Sequence, residues 1–242
     1  MIKLGGSLLD DASRRAAALQ KIVSRWNAGE DLVLVHGGGK HIDAALAKLG
    51  IAKKTHAGLR VTDDVTLDVV VSVLGGTVNK MLVAELTSLG IRAAGISGCD
   101  GATLIAEKHA DIDGIDLGHV GHVTGSNRTL VNALLTSGTM PVISSIAIGK
   151  NGALFNVNAD SAASAIAVAH GAEELLFLTD VAGLLDDQGN VVPRLNAADA
   201  HEFLIQVSGG MKPKLQAAIT ALTSGVQAIS IGEEGGTTVV AA

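Results

Sequence analysis

Leu175-Leu176-Phe177-Leu178 is four residues long, wholly apolar, and stopped by the turn Thr179-Asp180-Val181-Ala182-Gly183. A strand can be apolar on both sides only when both faces are covered, as in the middle of a parallel sheet flanked by helices. Just before it, Ser161 to His170 is almost all small or β-branched residues, and Gly171 follows. That run suits a helix buried over most of its circumference. Asn158 and Asp160 are good N-cap residues for it, and a helix start favours negative charge. Ligands of open α/β sheets bind beyond the carboxyl ends of the strands. Residues 155–185 are therefore where ligands are expected to meet.

The same punctuation recurs along the chain. A first strand starts at Ile2 and runs into Lys3-Leu4-Gly5-Gly6-Ser7. Two glycines leave backbone N–H groups free to approach a phosphate, and the lysine adds a mobile positive charge. A plain Gly-Gly turn beside a surface lysine has the same spelling. Residues 10–28 have helical periodicity, with Leu19, Ile22, Val23 and Trp26 on one stripe and Gly29 at the end. Leu32-Val33-Leu34-Val35 is a second buried strand, followed by His36-Gly37-Gly38-Gly39-Lys40 and another helix. A strand, three glycines and a helix start form an anion site from backbone amides. Two familiar phosphate loops are excluded: Leu34 stands where a P-loop needs glycine, His41 where it needs Ser or Thr, and GxGxxG is absent.

Arg60 lies between apolar neighbours, Leu59 and Val61. It is a solvated rim residue or, if it points inward, a planar fork suited to a carboxylate. Helices are expected over 67–74 and 78–89, the first capped by Thr62 or Asp63. A strand at 93–97 leads to a glycine-rich turn around Cys99, and 116–123 alternates like a half-buried strand. His119 and His122 fall on opposite sides of such a strand, which argues against a shared metal. A helix over 128–137, a strand from Met140 to Ile146 and a hairpin around Asn151-Gly152 complete this part. Beyond Asp180, the order is a hairpin with its turn at 187–190, a helix over 197–204, a helix opened by Pro213, a strand at 226–231 and a short edge strand at 237–240. Lys214 would sit at a helix start, where the macrodipole disfavours a cation, a small cost that hints at an anion to be met. The order is βαβα with inserted hairpins: an α/β chain, an open mainly parallel αβα sandwich.

The 242 residues are 48% hydrophobic and 17% charged, enough for a sizeable core. Net charge is −6 with no basic run, which argues against nucleic acid and anionic membranes as partners. No wholly apolar span reaches the roughly 18 to 20 residues of a transmembrane helix. Lys3 and Asp10 interrupt any apolar leader, and the single cysteine fits a reducing compartment, so a cytoplasmic protein is expected.

Taken together, the motifs resemble the amino-acid kinase family. They are Lys3-x-Gly5-Gly6-Ser7, His36-Gly37-Gly38-Gly39, Gly58-Leu59-Arg60-Val61-Thr62, Val78-Asn79-Lys80, Asp116-Leu117-Gly118-x-Val120-Gly121, Asn156-Val157-Asn158-Ala159-Asp160, Thr179-Asp180-Val181-x-Gly183 and Gly210-Met211-x-x-Lys214. They occur in family order over nearly the whole chain. The segment around Arg60 is similar to the acetylglutamate branch rather than the acetylaminoadipate branch.

The resemblance implies phosphorylation of the side-chain carboxylate of N-acetyl-L-glutamate by ATP with Mg²⁺, in arginine biosynthesis. It implies a single domain whose residues from about 1 to 150 hold the amino acid and from about 151 to 242 the nucleotide. Lys3 and Lys214 would meet the transferring phosphoryl, and Asp160 would orient them. Gly38, Gly39, Arg60 and Asn156 would hold acetylglutamate. Gly5, Gly6, Asp180, Val181, Ala182, Gly183, Leu184, Leu185, Gln206, Val207 and Ser208 would contact the nucleotide. No dedicated metal cage is expected, because Mg²⁺ would ride on the phosphates. Arginine-inhibited members carry a helix before the first strand and a longer segment before the last one. Here the strand begins at Ile2 and only residues 232–236 separate the last two strands, so a homodimer insensitive to arginine is expected. A kinase acting on acetylaminoadipate is the alternative within the family, and a silent nucleotide or amino-acid sensor the alternative outside catalysis.

Overall fold

The computed structural model describes residues 1–186, 188–207, 210–232 and 236–241. Its strands are β1 (Ile2–Leu4), β2 (Leu34–His36), β3 (Thr55–His56), β4 (Leu59–Arg60), β5 (Ala93–Ser97), β6 (Ile105–Lys108) and β7 (Val120–Gly125), then β8 (Met140–Ser144), β9 (Ile146–Ile148), β10 (Leu154–Val157), β11 (Glu174–Leu178), β12 (Arg194–Asn196), β13 (Ala228–Ile231) and β14 (Thr237–Val240). The α-helices are α1 (Gly6–Asp10), α2 (Ala12–Asn27), α3 (Gly39–Lys48), α4 (Asp64–Val71), α5 (Asn79–Ser88), α6 (Thr129–Thr136), α7 (Ala159–His170), α8 (Ala197–Gln206) and α9 (Met211–Thr223).

Eight strands form one open sheet in the order β12-β14-β13-β11-β1-β2-β8-β5, parallel throughout except where β14 runs against β13. The apolar run at 175–178 does lie mid-sheet, in β11 between β13 and β1. β1 sits between β11 and β2, with Lys3 in register with Phe177 and Val35. Successive side chains of a strand face opposite ways. Ile2 and Leu4 pack in the core with Leu19 and Ile22 of α2. Lys3 therefore projects to the other face, which α7 covers.

Three expectations change in detail. The helix expected over 10–28 starts only at Ala12, as α2, and a separate short α1 precedes it, because Asp11 is extended (φ −101°, ψ 115°) and caps α2 through the Arg14 N–H. The last strand is internal rather than an edge, since β12 pairs beyond β14. The half-buried strand at 116–123 begins only at Val120, because Gly118 (φ +68°) breaks extension against the Thr62 backbone. Asp187, in the turn expected at 187–190, lies outside the described residues, as do residues 233–235 of the short segment before β14.

The two helices expected at 67–89 form one continuous run, with a π-helical stretch (Ser72–Val78) between α4 and α5. This 25-residue run is long and apolar enough to cross a membrane, with mean hydropathy 1.5 over its best window. Here Val70, Leu74, Val78, Leu82 and Leu86 are buried in the protein's own core. The π turn is also where the run meets the glycine loop: a β-carbon at Gly38 would lie 2.8 Å from Leu74 and 3.3 Å from Val78. The inserted hairpins close on themselves as a small barrel, β10-β7-β6-β9, beside the sheet. The β3–β4 hairpin carries Arg60 separately.

Candidate active site

Asp160 is the second residue of α7, and Asn158 caps that helix by accepting from the Asp160 and Ser161 N–H groups at 2.8 and 3.1 Å. The cap fixes the first turn and aims the Asp160 carboxylate at β1. Lys3 Nζ lies 2.8 Å and Lys214 Nζ 3.2 Å from the same oxygen, Asp160 Oδ1. All three side chains are more than nine-tenths buried. Ser164, one turn on, donates to the Ala217 carbonyl at 2.9 Å and ties α7 to α9. That tie brings Lys214, in the first turn of α9, against Asp160. The Lys214 ammonium also sits 5.4 Å from the centre of the Phe177 ring, a cation–π contact.

Burial pushes the Asp160 carboxyl up, but the two ammoniums together outweigh it and hold the group below its ordinary value. Burial and then the neighbouring Lys3 charge push the Lys214 amine down, against the pull of Asp160. The trio therefore carries two positive charges against one negative, in a place of low dielectric. A buried charge imbalance of that sign is complementary to an anion.

Two of the trio, Lys3 and Asp160, border a cavity of about 250 Å³, and Lys214 lies behind them on Asp160. Lys3, Gly6, Gly37, Gly38, Gly39, Arg60, Asn156 and Asp160 all line it. Arg60 does point inward: its NH2 donates to the Gly39 carbonyl at 3.1 Å and to Asp43. Its NH1 is buried with no protein partner. Buried donors are nearly always satisfied, so that nitrogen is poised for a ligand acceptor. Asn156 donates to the Thr62 hydroxyl at 3.2 Å, and Thr62 donates to the Arg60 carbonyl at 2.7 Å. One network thus sets both side chains.

The structure separates the residues expected at the nucleotide. The Gly5 N–H is taken by the Leu178 carbonyl at 2.7 Å, which corrects the reading of a free amide there. Gly6, in the first turn of α1, has no intrahelical partner for its N–H. Asp180, Val181, Ala182, Gly183, Leu184 and Leu185 follow the carboxyl end of β11, outside the cavity. The Leu184 side chain is fully buried, while its N–H donates to the Thr237 hydroxyl at 2.8 Å. Val181 and Leu185 are exposed. Gln206 ends α8 and Val207 caps it; Ser208 lies outside the described residues. His119 Nε2 sits 2.7 Å from Asp64 Oδ1 rather than beside His122, which is exposed.

Sequence reasoning missed four residues at the cavity. Ile42, Leu74 and Ser145 line it, and Asp43 holds Arg60 while itself accepting from Lys53 at 2.8 Å. Asp43 lies one turn past Gly39 on α3, so the helical period carried the only available signal.

Comparisons with known proteins fit this geometry. Residues 1–233 match the model of the Amino acid kinase family. The chain is 42% identical to an acetylglutamate kinase of Rhizobium rhizogenes, over 96% of this chain and 82% of that one. It is 44% identical to an acetylglutamate kinase of Methanopyrus kandleri, over 93% and 91% of the two. A solved structure from Streptococcus mutans UA159 superposes with a TM-score of 0.88 at 30% identity, covering 99% of this chain and 97% of that one. With a family model spanning nearly all of it and relatives above 40% identity over most of their own length, this chain belongs to the amino-acid kinase family.

Proposed function

We propose that the protein transfers the γ-phosphoryl group of ATP to the side-chain carboxylate of N-acetyl-L-glutamate, giving N-acetylglutamyl 5-phosphate and ADP in arginine biosynthesis. One observation carries the reading: two buried ammoniums share one carboxylate oxygen beside a cavity that holds an unpartnered arginine N–H. The acceptor carboxylate, with an ordinary pKa of about 4.3, is ionised at neutral pH and needs no general base. Its oxygen forms the new bond to the γ-phosphorus as the bond to the β–γ bridging oxygen breaks, and ADP leaves with that electron pair. The task of the protein is to bring two anions together and to stabilise the equatorial oxygens in transfer. Lys3 and Lys214 supply that stabilisation, and Asp160 keeps both pointed at the phosphoryl. Gly6 and Gly37 to Gly39 add backbone N–H groups. Arg60 and Asn156 hold the acceptor, with Arg60 directed by Asp43. Mg²⁺ bound to the nucleotide would supply neutralisation of the phosphate charge, beside Lys3 and Lys214.

In this reading the amino acid is held mainly by residues from about 1 to 150 and the nucleotide by those from about 151 to 242. Residues 180–185, 206 and 207 lie along the nucleotide, and the protein works as a cytoplasmic homodimer. The 40–44% identity to proteins named acetylglutamate kinase supports acetylglutamate over acetylaminoadipate. Hydroxylamine traps acyl phosphates as hydroxamates. With ATP and acetylglutamate the protein should give hydroxamate, at a rate well above that with acetylaminoadipate. Equal rates would remove the assignment to glutamate, and no hydroxamate with either acceptor would remove the activity.

A further inference from the structure

His36 ends β2, and its ring is completely buried among the strands at the back of the glycine loop. Nδ1 lies 2.9 Å from the Gly37 carbonyl oxygen, which can only accept, so Nδ1 carries the hydrogen. Nε2 lies 3.1 Å from Asn79 Nδ2, which can only donate, so Nε2 is bare. The Asn79 amide cannot be turned over. Its Nδ2 also donates to the Val142 carbonyl at 2.9 Å, and its Oδ1 accepts from Lys80 Nζ at 3.0 Å. Lys80 is itself held by the Gly95 carbonyl at 2.9 Å. A chain of directed hydrogen bonds thus runs from β5 and β8, through Asn79 and His36, to the peptide between Gly37 and Gly38. The Gly37–Gly38 peptide bond is trans, as are all those among the described residues, so in that unit the N–H points opposite to the carbonyl. Holding the carbonyl on the imidazole turns the Gly38 N–H away from it. Gly37, Gly38 and Gly39 all line the cavity.

We infer that His36 is a positioning residue: as a neutral imidazole with hydrogen on Nδ1, it orients the Gly37–Gly38 peptide so that the Gly38 amide is presented to the acceptor or the transferring phosphoryl, and Asn79 locks the ring. His36 touches no substrate and takes no proton in the reaction. This assignment rests on the function proposed above. If the pair served the core alone, exchanging both for apolar residues of similar volume would cost stability, because the Gly37 and Val142 carbonyls lose a donor, but would leave the rate of the folded enzyme unchanged. If the pair aims an amide, the rate falls as well, because small misplacements at a reacting centre lower rates by orders of magnitude.

The test uses wild type, His36→Asn, His36→Leu and the double variant His36→Leu/Asn79→Leu, each checked for folding by circular dichroism and thermal melting. The double variant should fold with a lowered melting temperature and, while folded, lose about 10²-fold in kcat/KM for acetylglutamate. His36→Asn keeps an amide donor near the Gly37 carbonyl and should retain more of that ratio than His36→Leu. In wild type, ¹⁵N NMR should show the His36 signal, identified by its loss in His36→Asn, with Nδ1 protonated and Nε2 bare. A folded double variant with the wild-type rate would overturn the inference, as would a signal with hydrogen on Nε2. If the double variant does not fold, the ranking of the two single variants and the tautomer decide. Wild type that turns over no acetylglutamate would count against the proposed function, and the tautomer alone would then decide the arrangement at His36.

Discussion

Two buried polar clusters sit near the carboxyl ends of neighbouring central strands, and they treat charge in opposite ways. At β1, Lys3, Asp160 and Lys214 share one carboxylate oxygen and leave one positive charge uncompensated. At β2, His36 and Asn79 are neutral and every donor shown meets an acceptor. Burial acts against the charged form in both. It pushes the Lys214 amine down and drives the His36 ring to about 4, so the histidine is neutral near pH 7. Asp160 stays ionised only because two cations overcome its desolvation. A satisfied neutral network costs little to keep and fixes a geometry. An imbalanced one is expensive until an anion arrives. The first therefore reads as scaffold and the second as the place where charge moves.

The sharpest way to break this contrast is Lys214→Met. It removes one ammonium while Asp160 keeps its shorter contact to Lys3, so folding should survive. Turnover should fall about 10² to 10³-fold, the usual loss for one donor at a developing charge, with little change in nucleotide affinity. An unchanged rate would place the chemistry elsewhere and favour a silent sensor.

The neutral cluster is tested by pH. The His36 pKa is about 4 in the folded chain against an ordinary 6.5. Between those values the unfolded chain takes up a proton that the folded one refuses. Stability should therefore fall as pH drops from 6.5 and level off for this group below about 4, for a loss of roughly 3 kcal/mol. Asp160 has a lowered pKa, so its contribution is lost at more acid pH, below the ordinary 3.8. Urea denaturation of wild type and His36→Asn between pH 7 and 4 should differ in slope, with the variant flatter. Parallel curves would show that His36 is protonated equally in both states.

The smallest effect should come from Arg60→Lys. Lysine keeps the charge but loses the planar fork that reaches Gly39 and Asp43 while leaving NH1 for a ligand. Losing one charge-assisted hydrogen bond of about 1.5 kcal/mol should raise the acceptor KM roughly tenfold with ATP KM unchanged. A rise in both would mean that Arg60 shapes the cavity rather than holding one substrate.

Much of the architecture was legible because parallel strands covered on both faces must be apolar, and Leu175 to Leu178 can be read as nothing else that short. The helix starts at Asn158 and Pro213 were equally readable, since capping and a fixed proline φ are local rules. The division of α1 from α2 was not, because Asp11 interrupts without glycine or proline. The small barrel was not, because its closure depends on pairing between β6 and β9 that leaves no period in the sequence. Gly5 and Gly6 looked alike, yet only the sheet decides that one amide is consumed by Leu178.

By itself the sequence determined an α/β chain with glycine turns at strand ends, and the motif set that places it in its family. Local propensity and hydrophobic period act over a few residues, so they are written in the order of the chain. Only the tertiary structure decided that two lysines meet on one oxygen, that Arg60 turns inward with a nitrogen to spare, and that a buried histidine bonds the Gly37 carbonyl. Those facts depend on burial and on distances between residues far apart in sequence, where desolvation makes each missing or extra charge count.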